Sequence, residues 1–231
     1  VDEGLLSDLK ARDRERWLSV LWAPAPARAA LLALHAYDLE QQRVVAEVKE
    51  PMLAEIRLAW WREQLEKLAI GREPPPQPLL RALAADARPR AVDLAGLTRI
   101  EEGFLPLLTE GRLEPLAMAR ARGGPLFEAL FTATLARPLT NAEVADAWAA
   151  GTRWALARLW RGGWGQAEPR LVRVEAPALP APAVSPLPAP LRVLDALAAD
   201  DWARLEAGRP LRPAACANRQ WIMARAALRS R

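Results

Sequence analysis

Proline and glycine cut this chain into pieces of helix length, and that punctuation constrains the fold more than any other feature. Apolar residues between the breaks recur at i, i+3 and i+4, the period of a helix with one buried face. The longest stretch of strand-like alternation is LVRV at 171–174. The expected fold class is therefore all-α. The spacing predicts helices over Leu5–Trp22, Ala27–Lys49 and Met52–Ile70, then shorter ones over 79–88, 91–109 and 114–136, the last interrupted at the GGP of 123–125. Thr140 with Glu143 reads as a start signal for a long helix to Arg161. Two further helices are expected over 191–207 and 213–229, after a Pro-rich extended connection at 169–190, and residues 1–231 are read as one domain without internal repeats.

One of these helices has the wrong residues on its inner side. In LHAYDLEQQRVVAEV, residues 34–48, Leu34, Tyr37, Leu39, Val44, Val45, Ala46 and Val48 form a broad apolar arc, with Glu40, Arg43 and Glu47 opposite. His35, Asp38, Gln41 and Gln42 fall inside the apolar arc, where polar groups cost free energy unless something satisfies them. Something in the interior must face them.

Composition narrows what that could be. The single cysteine, Cys216, excludes an internal disulfide framework and a Cys-rich zinc site, and the single histidine, His35, excludes His-based metal clusters. Cys216 is expected to be a buried small hydrophobe. The net charge of +4 is compatible with an anionic partner. Yet acid and base alternate in ARDRER and WWREQLEK, which reads as solvated helix face rather than a basic patch, so no nucleic-acid partner is expected. Ala176–Leu191 is free of charge but rich in proline, so no membrane span is expected. The acidic opening VDEGLLSDLK does not read as a signal peptide. The expected location is the bacterial cytoplasm, with peripheral membrane contact compatible with the Arg-rich surface.

RDRERWLSVLWAPAPARAALLALHAYDLE followed by EPMLAEIRLAWWREQL resembles the squalene/phytoene synthases, most specifically over residues 10–68 and more weakly at GTRWALARLWR, 151–161. The resemblance implies an isoprenoid-synthase-type helical bundle around a central cavity, in which two DxxxD motifs on facing helices hold Mg²⁺ against two prenyl diphosphates. Residues at i and i+4 share a helix face, so such a motif presents both acids to one ion. The family pattern places the first pair of aspartates at Gln42 and Ala46 and the second at Gly162 and Gln166, and a basic family position falls at Leu39. The only acids spaced by four anywhere in the chain are Glu110 and Glu114, read as surface. Glutamine hydrogen-bonds a ligand but does not supply the charge that recruits Mg²⁺.

The resemblance thus implies a catalytically inactive relative that binds an isoprenoid or other apolar ligand, or a protein partner. Within the family, ALHAYDLEQQRVVAEVKEP resembles the branch of the mitochondrial complex I assembly factor and its bacterial relatives. The alternative is an active head-to-head prenyl transferase using a degenerate Mg²⁺ site built from Asp38 and scattered acids. A third reading, an interaction module with its cavity filled, predicts no pocket.

No catalytic residue, metal ligand or cofactor is assigned; Mg²⁺ belongs only to the alternative. The candidates for lining the cavity are His35, Asp38, Gln41, Gln42 and Ala46, together with Trp61 and with Arg57 as an anion contact. Gly151, Ala155, Gly162 and Gln166 are added from the later helix. His35 and Asp38 are more simply an internal hydrogen bond than a base with its orienter. Of the adjacent Trp60 and Trp61, one is expected in the core and the other at a seam. The small residues Gly151 and Ala155 either allow a close helix crossing or leave room for a bound chain.

Overall fold

The computed structural model describes residues 3–162, 179–182, 184 and 186–228, and every regular element among them is helical. The LVRV stretch and Gln166 lie outside the described residues. The described residues fold as an all-α bundle, as the periodicity predicts.

The expected first helix is two. α1 (Glu3–Arg12) stops at Asp13, whose φ of −145° and ψ of 81° leave the helical region, and α2 (Arg14–Leu21) starts there. Asp13 caps α2 by accepting from the backbone N–H of Arg16 at 3.1 Å. α3 (Arg28–Glu47) and α4 (Pro51–Ala69) match the expected spans closely, α4 opening on a proline at the position where a missing N–H costs nothing. The segment over 79–108 is less regular than its periodicity suggests. α5 (Pro78–Ala82) passes into wide and tight turns to Arg90, and α6 (Leu94–Leu97) into 3₁₀ turns to Leu108. Gly103 lets this segment approach the next helix closely, because a Cβ there would sit 2.7 Å from the Met118 carbonyl oxygen.

α7 (Pro115–Leu135) runs unbroken through the GGP that was expected to interrupt it. Gly and Pro inside a helix cost about 1 and 3 kcal/mol in propensity, so packing must outweigh them. It does so against α8 (Asn141–Trp160), which begins with the expected Thr140–Glu143 capping box. A Cβ on Gly123 would lie 1.9 Å from the Gly151 carbonyl oxygen, and one on Gly151 would lie 2.0 Å from that of Gly123. The two backbones touch. Gly124 likewise admits the Trp148 ring, with Cε3 2.4 Å from where its Cβ would be. α9 (Ala189–Glu206) packs on α8, and α10 (Ala217–Leu228) packs on α9.

The main core gathers Leu31, Leu34 and Tyr37 of α3 with Leu58, Trp61 and Leu65 of α4, Phe127 of α7 and Trp154 of α8. Among the described residues no helix is long and apolar enough to cross a membrane.

The α7–α8 contact predicts that Gly151→Val lowers unfolding free energy by about 3 kcal/mol or more, at the upper end of overpacking costs, because the obstacle is backbone. Urea unfolding measures this. A variant as stable as the wild type would show that the helices are not in contact.

Candidate functional site

The polar side chains on the inner face of α3 meet charge. Asp38 is completely buried at the middle of the helix. Arg122 of α7 donates to it through two parallel bonds, Nε to Oδ1 at 2.8 Å and Nη2 to Oδ2 at 2.7 Å. Arg16 of α2 adds a third, Nη1 to Oδ2 at 2.6 Å. Such forked guanidinium–carboxylate pairs are the strongest charge-assisted hydrogen bonds a protein makes. Arg122 Nη2 also reaches Gln42 Oε1 at 3.1 Å, so Gln42 serves as a neutral acceptor beside the carboxylate.

The network extends beyond α3. Asp13 lies 2.9 Å from Arg16 and 2.8 Å from Arg158 of α8. The Trp154 ring centroid is 4.9 Å from the Arg16 guanidinium and 5.3 Å from that of Arg122, and Phe104 lies 4.8 Å from Arg122. A neighbouring network ties the last two helices in: Arg219 donates to Glu15 at 2.5 Å and 2.9 Å and to Asp201 at 2.5 Å, and Arg161 pairs with Asp201 at 2.5 Å. Between the two networks, bordered by Asp13, Arg16, Arg158, Asp201 and Arg219, the remaining cavity is about 10 Å³, room for about one water molecule and no ligand.

Protonation follows from this crowding. Burial alone would raise the Asp38 carboxyl, but the charges and hydrogen bonds of Arg122 and Arg16 together outweigh it and hold the group well below the usual carboxylate range. Asp13 is also held low, by Arg158 and Arg16 against the same burial. Burial and then the Arg16 charge push His35 down to about 3, against the opposing pull of Asp13 and Asp38. His35 is therefore a neutral imidazole near neutral pH. Burial first, then Glu101 and Asp38, raises the Tyr37 phenol.

The residues singled out from the sequence separate into distinct places. His35, Asp38 and Gln41 are fully buried, and Gln42 is half-buried beside Arg122. The expected His35–Asp38 hydrogen bond is absent: neither ring nitrogen has a hydrogen-bond partner among the described residues, and Asp38 is taken by arginines instead. The Gln41 amide and the Tyr37 hydroxyl are likewise without partners there. Ala46 is exposed rather than turned inward, because α3 ends one residue later, at Glu47, and that end lies at the surface. Arg57 is exposed on α4 and does not join the network. Trp61 is core, edge-on to Tyr37 at 6.0 Å, while Trp60 is 40% exposed. Gly151 and Ala155 serve the close crossing with α7. Gly162, at φ 72°, stops α8 in the left-handed conformation that glycine adopts freely. Cys216 is half-buried.

Arg16, Arg122, Arg158 and Trp154 were not among the candidates. ARDRER was expected to be a solvated face, yet Asp13, Glu15 and Arg16 are all buried, since short α2 is wedged between α3 and α9 and has little free surface. The signal for Arg122 was present: with Met118, Ala119 and Leu126 it forms one helical stripe, the same anomaly that marks Asp38. Among the described residues no three acidic, His or Cys side chains converge as a metal-binding group.

A helical bundle closed over buried arginine–carboxylate pairs is the setting in which the sequence comparisons fall. Residues 9–112, from the end of α1 to the turns before α7, match the family model of squalene/phytoene synthase. Human NADH dehydrogenase (ubiquinone) complex I, assembly factor 6, is 32% identical over 78 residues, 34% of this chain and 23% of that protein. The chain thus aligns with about a quarter of that relative's length. No solved structure matches the chain significantly.

Two expectations follow. Asp38→Asn should cost about 3–5 kcal/mol, the range for removing one partner of a buried pair, measured by urea unfolding. A change under 1 kcal/mol would mean that the arginines are hydrated. His35 titrates near its ordinary 6.5 when unfolded and near 3 when folded, so between those values the unfolded chain binds more protons. Stability should therefore fall as pH drops below 6.5, approaching about 1.4 kcal/mol per pH unit. This is the chain's single histidine, so His35→Gln should flatten the slope between pH 6.5 and 5. An unchanged slope would place the proton elsewhere.

Proposed function

We propose that this protein is a catalytically inactive member of the squalene/phytoene synthase type that acts as a binding or assembly protein for the NADH dehydrogenase complex. The observation that carries the reading is the state of Asp38. Both of its oxygens are occupied by guanidinium donors at 2.6–2.8 Å. A carboxylate so engaged has to release an arginine before it ligates Mg²⁺, leaving that charge buried and unpaired. The positions where the family pattern expects the first acidic pair hold Gln42, bonded to Arg122, and the exposed Ala46. The alternative of a degenerate Mg²⁺ site needs several carboxylates converging on one open space, and the acids near Asp38 are paired with arginine instead.

The assembly role rests on the similarity to the human assembly factor. A protein partner also suits the outer face of α4, where Met52, Leu53, Ile56 and Trp60 form an exposed apolar stripe of the kind that interfaces cover.

Titration calorimetry with an unreactive farnesyl thiodiphosphate should give no Mg²⁺-dependent binding, and incubation with farnesyl or geranylgeranyl diphosphate and Mg²⁺ should give no condensed product. Formation of such a product would overturn the inactive reading. Cells lacking the protein should lose NADH:quinone oxidoreductase activity and accumulate partly assembled complex. Full activity in those cells would sink the assembly role independently.

A further inference from the structure

Away from the Asp38 network, and sharing no residue with it, the α7–α8 seam opens into a cleft of about 920 Å³. That volume is in the range of small-molecule sites. One wall is α8 from Asn141 to Thr152, about 16 Å of helix; the start of α7, Arg99 and Pro180 supply the rest. The lining is largely apolar, with Leu116, Ala117, Val144, Ala145 and Ala149 around the half-buried Trp148.

Trp148 is held in a fixed pose. Its Nε1 donates to Glu128 at 2.6 Å, and its ring lies against Gly124, where any side chain would displace it. Two guanidiniums stack on this ring, Arg99 at 4.7 Å and Arg120 at 5.5 Å from the centroid. Among the described residues neither has a carboxylate partner, while Glu114 on the rim is engaged by Arg112 at 3.2 Å and Glu128 by the indole. Stacking uses the faces of a guanidinium and leaves its in-plane N–H donors free for an anion. A fixed aromatic floor, an apolar wall and two uncompensated cations together complement one kind of ligand.

We propose that this cleft binds a single-chain amphiphile with one anionic head group, carboxylate or phosphate. The head lies on Arg99 and Arg120, and the chain lies along Trp148 and the alanine face of α8. The site stands independently of the assembly role.

The test is calorimetric titration of the whole protein, below micelle-forming concentration, with dodecanoate, dodecyl phosphate, dodecanol and dodecyltrimethylammonium. Both anions should bind saturably at one per chain, and the tighter of the two identifies the head group. Dodecanol and the cation should bind at least tenfold more weakly. Arg99→Gln/Arg120→Gln alters two exposed side chains and should weaken anion binding tenfold or more while leaving the circular dichroism spectrum unchanged. Ala149→Phe should abolish binding by filling the cleft. Equal affinity for dodecanol, non-saturating uptake of every probe, or unchanged binding by the double variant would each overturn the proposal.

Discussion

Asp38 carries a full charge with no surface exposed to solvent, and the surrounding helices are arranged so that this is tolerable. Removing a lone carboxylate from water to a protein interior costs several kcal/mol even after relaxation. Three guanidinium donors offset that cost, but only if α2 and α7 both approach α3 at the level of Asp38. Arg122 reaches the site because α7 lies close to its neighbours, with Gly103 on one side and the Gly123–Gly151 contact on another. Exchanging such a network for apolar residues is often neutral or stabilising. Its structural consequence is orientation: α2, α3, α7 and α8 share one bonded centre and cannot slide independently.

Within that centre three guanidiniums, of Arg16, Arg122 and Arg158, face two carboxylates, of Asp13 and Asp38. The surplus positive charge is met by the faces of Trp154 and Phe104, whose negative quadrupoles favour cations. It also explains the neutral state of His35, since a further proton would add charge in a buried site beside Arg16.

Most of the helical architecture was legible in the sequence, because apolar periodicity and proline positions are local signals. The failures lie where tertiary contact overrides local preference. GGP was expected to break α7, and instead supplies the flat surface that α8 needs. Asp13 was expected inside a continuous helix, and instead caps a new one because its carboxylate serves α2, Arg16 and Arg158 at once. Half of the central site was legible as polar residues in the apolar arc of α3. The other half was hidden in ARDRER, where alternating charge looked solvated: alternation shows that neighbours can pair, but not whether the pairing takes place in water. Arg122 broke an apolar stripe as plainly as Asp38 did, and the link between them spans 84 residues, beyond any local pattern.

How the charges are used separates the two regions of this molecule. A site that stabilises a charged substrate needs groups held in place and left uncompensated until the substrate arrives. The centre of the bundle is the reverse, since both of its carboxylates are already engaged by guanidiniums and the adjoining space is too small for a ligand. Arg99 and Arg120 fit the first description, because they lie over the Trp148 ring at an open cleft and have no carboxylate partner among the described residues. Among the described residues, the α7–α8 cleft thus sets two arginines without a carboxylate partner beside an open space, while the fold's innermost charges hold the helices in register.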